Sequence, residues 1–331
     1  MGEWLLQHVF FLTGSGSAIL AVAVFLDLLL GDKQNLPHPV RFMGALITGC
    51  EKIARASDLS ERASGCIMAV GLSTATFSVV FFIVALLADL HFLIFFIFST
   101  LAVYFSISLK CLADEALKVQ DALDNGNIEL ARRRIAMLVS RDTQDMTEED
   151  ISKAAVETVA ENLVDGVISP FFYAALGGPA LCLCFKMIST LDSMVGYRNK
   201  AYKDLGMCSA RLDDAANYIP ARLSVPIIAA CSFLSGSSPM KVFSCVSSFG
   251  RLHKSPNSGL PEAAFAAALD VRLGGRVSYH GRPMEYPWIN KEGKNACRAH
   301  IKKAVLLLYS SALLFFAIFL IPGIIAAASC L

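Results

Sequence analysis

Charge is scarce in this 331-residue sequence: Asp, Glu, Lys and Arg together make up 17% of it, against 55% hydrophobic residues. So little charge cannot clothe a soluble protein of this size, and the composition is that of a membrane protein. The 29 basic residues nearly cancel the 28 acidic ones, leaving +1, so there is no overall basic surface for counterion-driven binding and nucleic acid is excluded as a partner. The G-x-x-x-x-G-K-[ST] phosphate loop, the G-x-S-x-G elbow and the H-E-x-x-H helix are all missing. No C-x-x-C pair occurs among the ten cysteines; the closest two, Cys182 and Cys184, lie in an apolar stretch, which reads as small buried hydrophobes and not as a metal site or disulfide framework. The chain begins Met1, Gly2, Glu3, Trp4 without the basic n-region of a signal peptide, so its first apolar stretch is expected to be retained.

What is present is apolar length. A spanning helix needs roughly 20 apolar residues, and four stretches qualify: about 9–30, 66–88, 92–109 and 304–328. Gly14, Ser15 and Gly16 in the first would let another helix approach closely in lipid. Only Asp89, Leu90 and His91 separate the second and third, which implies a helical hairpin. Two further stretches are broken: 167–188 by Pro170, Gly177, Gly178, Pro179 and Lys186, and 219–235 by Pro220, Arg222 and Pro226. Broken backbone at membrane depth needs protein or a water-filled cavity to satisfy it, so these are expected as re-entrant or additional membrane segments. The fold class expected is all-α: a single multi-pass domain over 1–331, with polar segments 31–65, 110–166, 189–218 and 236–303 forming a helical and loop region on one side. Parity of the four spans puts these segments together. The last of them holds eleven Lys and Arg against four acids, so that side is expected to be cytoplasmic and the chain to sit in the inner membrane.

Chemistry-bearing residues cluster in the polar segments. A helix starts at Thr147, whose capping side chain precedes three acids, and is expected to stop at Gly166. On it Glu157, Glu161 and Asp165 recur every four residues and share a face, a row suited to a hard cation completed by substrate phosphate; a solvated helix face is the bland alternative. Residues 190–199 are unusually polar for a membrane exit, and Asp213, Asp214 and Asn217 fall within a turn of one another, with Arg211 as a plain ion-pair partner in the alternative reading. Between Pro37 and Pro39 stands His38, followed by Arg41, either a phosphate ligand or a snorkelling interface residue. Residues 253–262 combine turn residues with His253 and Glu262. Arginines 41, 141, 198, 211, 222 and 272 lie close to these runs, and planar guanidinium forks suit phosphate and carboxylate.

Taken in order, these runs resemble a known family. They are Leu26 to Asp32 with Leu36 to Arg41, Ser140 to Thr143, Ala155 to Asn162 continuing through Asp165 to Pro170, Thr190 to Asn199, Ala210 to Arg222, and Ser255 to Ala264 with Val271 to Gly275. The pattern is similar to that of the adenosylcobinamide-phosphate synthases of cobalamin biosynthesis. Ser258 and Leu260 stand where alanine and tryptophan are usual, and Tyr279, His280, Gly281 replaces the usual tyrosine-glycine-glycine.

The resemblance implies ATP-dependent amide formation between a carboxylate of adenosylcobyric acid and the amine of (R)-1-amino-2-propanol O-phosphate, an amide-forming ligase reaction with Mg²⁺. It implies Glu157, Glu161, Asp165, Asp192, Asp213 and Asp214 as metal ligands. Arg41, Arg141, Arg198, Asn199, Arg211, Asn217, Arg222, Asn257 and Arg272 would bind substrate and phosphate. His38, His253 and Glu262 would be catalytic, a histidine taking the proton of the attacking amine. The expected partners are the corrinoid, the amino alcohol phosphate, the bilayer and other cobalamin-pathway membrane enzymes. A membrane transporter or a non-catalytic scaffold are the rival readings. Against the transporter, the firm spans carry almost no ionisable groups in their cores.

Overall fold

The computed structural model describes residues 14–31, 38–197, 199–252, 255–279 and 281–328. It divides the chain into two compact units. The first comprises Met1–Ser108, Ser169–Asn217 and Phe316–Leu331, the second Leu109–Ile168 and Tyr218–Phe315.

The first unit is helical. Helix α1 (Gly14–Leu30) buries Ile19, Leu20, Ala23 and Val24. The next helix, α2 (Pro39–Ala56), starts on a proline and is capped by His38, whose Nδ1 accepts from Val40 N at 3.2 Å. Helix α3 (Glu61–Leu90) and helix α4 (Phe92–Tyr104) are separated by His91 alone, which ends one and caps the other, so the expected hairpin is there. Much of α3 shows bare apolar side chains, Phe81, Phe82 and Leu86 among them, which is how a lipid-facing helix looks when no lipid surrounds it. Where α3 does touch protein it does so closely: a Cβ on Gly65 would fall 2.0 Å from the Leu205 carbonyl oxygen. Two more helices complete the unit, α8 (Ser169–Val195) and α9 (Met207–Ala216), and the former is broken where the sequence places Gly177, Gly178 and Pro179, with Gly178 at φ 65°.

In the second unit α5 (Leu109–Asp124) turns at Gly126 (φ 67°) into α6 (Ile128–Ile135), which Asn127 caps through Leu130 N. Helix α7 (Glu148–Leu163) begins with the capping box expected at Thr147, closed by Asp150. Every residue from Ile151 to Ala160 on it is buried, which makes it the core helix of its unit; of the acidic row Glu157 is buried and Glu161 and Asp165 are half-buried, so the row is not a fully solvated face. The expected stop at Gly166 is also corrected. The chain continues through a π-helical turn, Val164–Ile168, straight into Ser169, and Gly166 is not left-handed there. Such turns relieve an extra residue inside a continuous helix. Beyond lie α10 (Tyr218–Cys231), a 3₁₀ turn at Ser232–Ser235, α11 (Pro239–Phe249), α12 (Gly259–Leu269) and the last helix α13 (Arg298–Ala328). Between the last two is an antiparallel hairpin, β1 (Leu273–Tyr279) and β2 (Arg282–Ile289), the one addition to the all-α architecture expected.

Among the described residues, five helical runs are long and apolar enough to cross a membrane: Glu61–Leu90, Phe92–Asp124, Glu148–Val195, Tyr218–Ser235 and Arg298–Gly323. Both broken stretches of the sequence therefore qualify by length and composition. The first expected span is represented by Ser15–Leu30, the rest of it lying outside the described residues.

Candidate functional site

Four sequence-distant segments of the second unit close around a cavity of about 300 Å³: the loop around Arg141, helix α7, the stretch from Leu252 to Glu262, and the hairpin. Glu157 is its anchor. One carboxylate oxygen accepts from Arg141 Nη2 at 2.7 Å and the other from the backbone N–H of Gly274 at 2.7 Å, so both oxygens of a buried side chain are engaged. The Arg141 and Glu157 side chains are only 14% and 8% exposed. Burial works against the Arg141 charge, but the charge of Glu157 and its hydrogen bond outweigh that and hold the guanidinium above its ordinary value.

The second acid, one turn along α7, is Glu161, which accepts from Ser258 Oγ at 3.1 Å; the serine that departs from the usual alanine supplies this bond. The third, Glu262, sits in the first turn of α12 and is buried. Burial first, then the charges of Glu157 and Glu161, push its carboxyl well above the usual range, with Arg141 opposing. Three acids against one arginine leave an excess of negative charge that a proton on Glu262 or a bound cation offsets. Among the described residues no three His, Cys, Asp or Glu side chains are grouped so as to hold a metal ion by themselves. The chemistry of the set fits Mg²⁺, which is usually held by one or two carboxylates with water and substrate phosphate completing its shell.

The hairpin that closes the cavity depends on two glycines. Gly274 (φ 83°) and Gly275 (φ 79°) adopt a conformation that side chains avoid, and a Cβ on the first would lie 2.4 Å from the Pro287 carbonyl oxygen. A register shift between Leu273 and Gly275 turns the Gly274 N–H toward Glu157 instead of into the ladder. From the same hairpin Tyr279 and Tyr286 line the cavity. Burial, with the hydrogen bond to Tyr286, pushes the Tyr279 hydroxyl up to about 12. Asp142 fastens the hairpin tip, accepting from Ser278 Oγ and Gly281 N, both at 2.7 Å.

The candidate residues thus fall into groups. Arg141, Glu157, Glu161 and Glu262 meet in this cavity. Close in sequence to Glu262, Asn257 accepts from Arg222 Nη1 at 3.4 Å, and that guanidinium lies 3.3 Å over the Tyr218 ring. Arg272 lies 4.9 Å over Trp288 and 3.7 Å from Glu149, and Asp165 falls in the π turn; neither is among the residues lining the cavity. The first unit holds the others. There Asn217 is buried between Asp213, to which it donates at 3.0 Å, and Ser169, from which it accepts at 2.6 Å. Asp214 and Arg211 stand on the same helix, and the Asp192 carbonyl accepts from Gly196 N. Asn199 serves its own turn, accepting from Ala201 N and Tyr202 N. As the cap of α2, His38 uses Nδ1 as acceptor, which leaves the proton of a neutral ring on Nε2; Arg41 follows it in the first turn. Arg198 and His253 lie outside the described residues.

Sequence reading missed Gly274, Ser258, Tyr279 and Tyr286. The hairpin was legible in the alternation from Arg276 to Ile289 around Gly281. The turn of Gly274 N toward a carboxylate far along the chain was not.

Comparison with known proteins places this chain. Residues 20–308 match the family model described as CobD/Cbib protein. A cobalamin biosynthesis protein CobD from Pelobacter propionicus is 44% identical over 263 residues, 80% of this chain and 81% of the relative. Another from Leptospira interrogans is 40% identical over 262 residues, 79% and 83% of the two. That from Citrobacter koseri is 36% identical over 302 residues, 90% and 95%. No solved structure matches the chain.

Proposed function

The chain belongs to the CobD/Cbib family of cobalamin biosynthesis, and from that premise we propose that it joins a carboxylate of adenosylcobyric acid to the amine of (R)-1-amino-2-propanol O-phosphate by ATP-dependent amide formation. The observation that carries this reading is the buried Glu157, engaged by Arg141 and Gly274 N, with Glu161 and Glu262 lining the same cavity. A carboxylate is a poor electrophile, so its oxygen must first be phosphorylated; the amine then forms the C–N bond as phosphate leaves and the amine proton is lost. Such a sequence needs a site that gathers phosphates and disposes of a proton.

In this reading Glu161, with Glu157 beside it held by Arg141 and Gly274 N, would hold Mg²⁺ together with substrate phosphate, and the ion would neutralise charge on the phosphates. Arg141 fixes the direction of the Glu157 carboxylate. Burial and the neighbouring acids raise the proton affinity of Glu262, and in its ionised form it is placed to accept the amine proton. Tyr279, which burial keeps protonated, is available as a hydroxyl donor. Arg222, with Asn257 beside it, presents a fork suited to a phosphate or carboxylate. The reaction is assigned to the cytoplasmic face of the cell membrane, in keeping with the basic residues of 236–303. Other cobalamin-pathway membrane enzymes are proposed as neighbours.

The test is direct. Detergent-purified protein is incubated with adenosylcobyric acid, the amino alcohol phosphate, ATP and Mg²⁺, and the amide is sought by mass spectrometry. Product that depends on ATP supports the reading. Corrinoid uptake into proteoliposomes without product would replace it with transport.

A further inference from the structure

The hairpin of β1 and β2 is a wall with open space on each face. Side chains alternate along a strand, and here Val277 and Tyr279 line the carboxylate cavity while Arg276 and Ser278 line an open cleft of about 810 Å³. Arg141 and Val277 are common to both linings, so β1 and the loop around Arg141 form the partition between them. The two ends of this wall are held differently. At its base Leu273 and Ile289 are buried, and the Trp288 ring lies 5.2 Å from the Lys153 ammonium and 4.9 Å from the Arg272 guanidinium. Toward the tip β2 is exposed from Arg282 to Glu285. The tip is tied to Asp142, whose backbone N–H donates to the Ser278 carbonyl at 2.8 Å and whose carboxylate accepts from Ser278 Oγ and Gly281 N, each at 2.7 Å. A two-stranded hairpin is marginal on its own, so where the tip sits depends on such ties. Near the base the ladder is already interrupted by the register shift at Leu273 and Gly275, and two glycines leave the backbone there free to bend.

Space decides what this arrangement is for. A cavity of about 300 Å³ lies at the floor of the range of small-molecule sites, ~300–1,000 Å³, and a corrinoid, an amino alcohol phosphate and ATP cannot share it. Room for them lies on the other face of the wall. We propose that Asp142 is a positioning residue that latches the hairpin. Latched, the wall holds Gly274 N and Tyr279 on the Glu157 cavity; released, it bends at Gly274 and Gly275 and the cavity opens into the cleft, which admits the large reactants. Arg141 and Asp142 are neighbours in the chain, so one residue fixes the central carboxylate and the next fixes the wall over it. The need for large reactants rests on the amide-forming reading, whereas the latch itself is read without turnover.

Thr158, buried on α7 and lining the carboxylate cavity, is replaced by cysteine as a reporter, and its alkylation by iodoacetamide is followed peptide by peptide with mass spectrometry in the detergent-purified full-length chain. Adding Asp142→Ala is expected to speed that alkylation by ~10-fold or more, as befits loss of hydrogen bonds to a charged group. It is also expected to speed amide hydrogen exchange in the hairpin while Ile151 to Ala160 stay protected. Ser278→Ala removes one of the two bonds to the carboxylate, is expected to act less strongly in the same direction, and carries the test should Asp142→Ala fail to fold as judged by gel filtration. In amide synthesis Asp142→Ala is expected to raise KM by ~10-fold and leave kcat within about twofold, because ligands that bind the closed form are penalised by its smaller population. A fall in kcat at unchanged KM would mark plain structural damage and overturn the positioning role. Equal alkylation and exchange rates with and without Asp142→Ala and Ser278→Ala overturn the latch. If no chain forms amide, the amide-forming reading falls, and the alkylation and exchange rates still decide the latch.

Discussion

The two polar cavities of this chain are opposites. The one in the second unit is acidic and built on a buried core helix, with an arginine and a backbone N–H fixing its central carboxylate. The one in the first unit is basic and built from a helix cap and a lysine set into an apolar helix. The first withstands its own charge because partners are supplied to α7 from three other segments, so it is sensitive to any change in those partners. The second is lined by His38, Arg41 and Lys186, with no acid among its described lining residues.

Changes on the acidic side should cost stability in a graded way. The largest is Arg141→Met, which leaves Glu157 buried without its cation; a loss of ~3–5 kcal/mol is expected, read as a lowered thermal midpoint, with Glu157→Gln in the same chain restoring part of it. An unchanged midpoint would mean that Glu157 is not held as described and would erase the contrast between the cavities. Gly274→Ala follows, at ~1–3 kcal/mol, because the residue sits at φ 83° with Pro287 O in the way. Glu262→Gln sharpens the comparison through pH. The folded chain holds the Glu262 proton more tightly than the unfolded one, so its stabilising contribution is complete below the ordinary glutamate value of ~4.3 and is lost as pH rises through the raised value. Thermal midpoints of the wild type should therefore decline relative to Glu262→Gln over that window, and parallel curves would remove the buried proton from the account. The smallest effect is Thr147→Ala, about 1 kcal/mol, from loss of the capping box on α7.

How much of this was legible beforehand differs between fold and site. The apolar runs, the His91 hairpin, the Thr147 cap and the break at Gly177 and Gly178 were readable because each depends on local composition. Gly166 misled, since a glycine after a carboxylate row is the usual stop, while tertiary packing carried the helix on through a π turn. At the site, the four-residue spacing identified Glu157 and Glu161 as sharing a face but could not say whether that face met water or protein. Glu157 proves buried and Glu161 half-buried, and that comes from the rest of the unit. Spacing also could not sort the aspartates by unit. Asp192, Asp213 and Asp214 look equivalent to Glu157 in the sequence, yet Asp213 is engaged with Asn217 in the first unit while Glu157 is held by Arg141 and Gly274 in the second.

The most direct trial of the account is amide synthesis by Glu157→Ala/Glu161→Ala beside wild type. Both proteins are extracted from membranes, matched for amount and gel-filtration profile, and supplied with corrinoid, amino alcohol phosphate, ATP and Mg²⁺. The account expects product from the wild type and a loss of ~1,000-fold or more in the double variant, as befits removal of charge-stabilising groups from a phosphoryl-transfer site. Full turnover by that variant would contradict it.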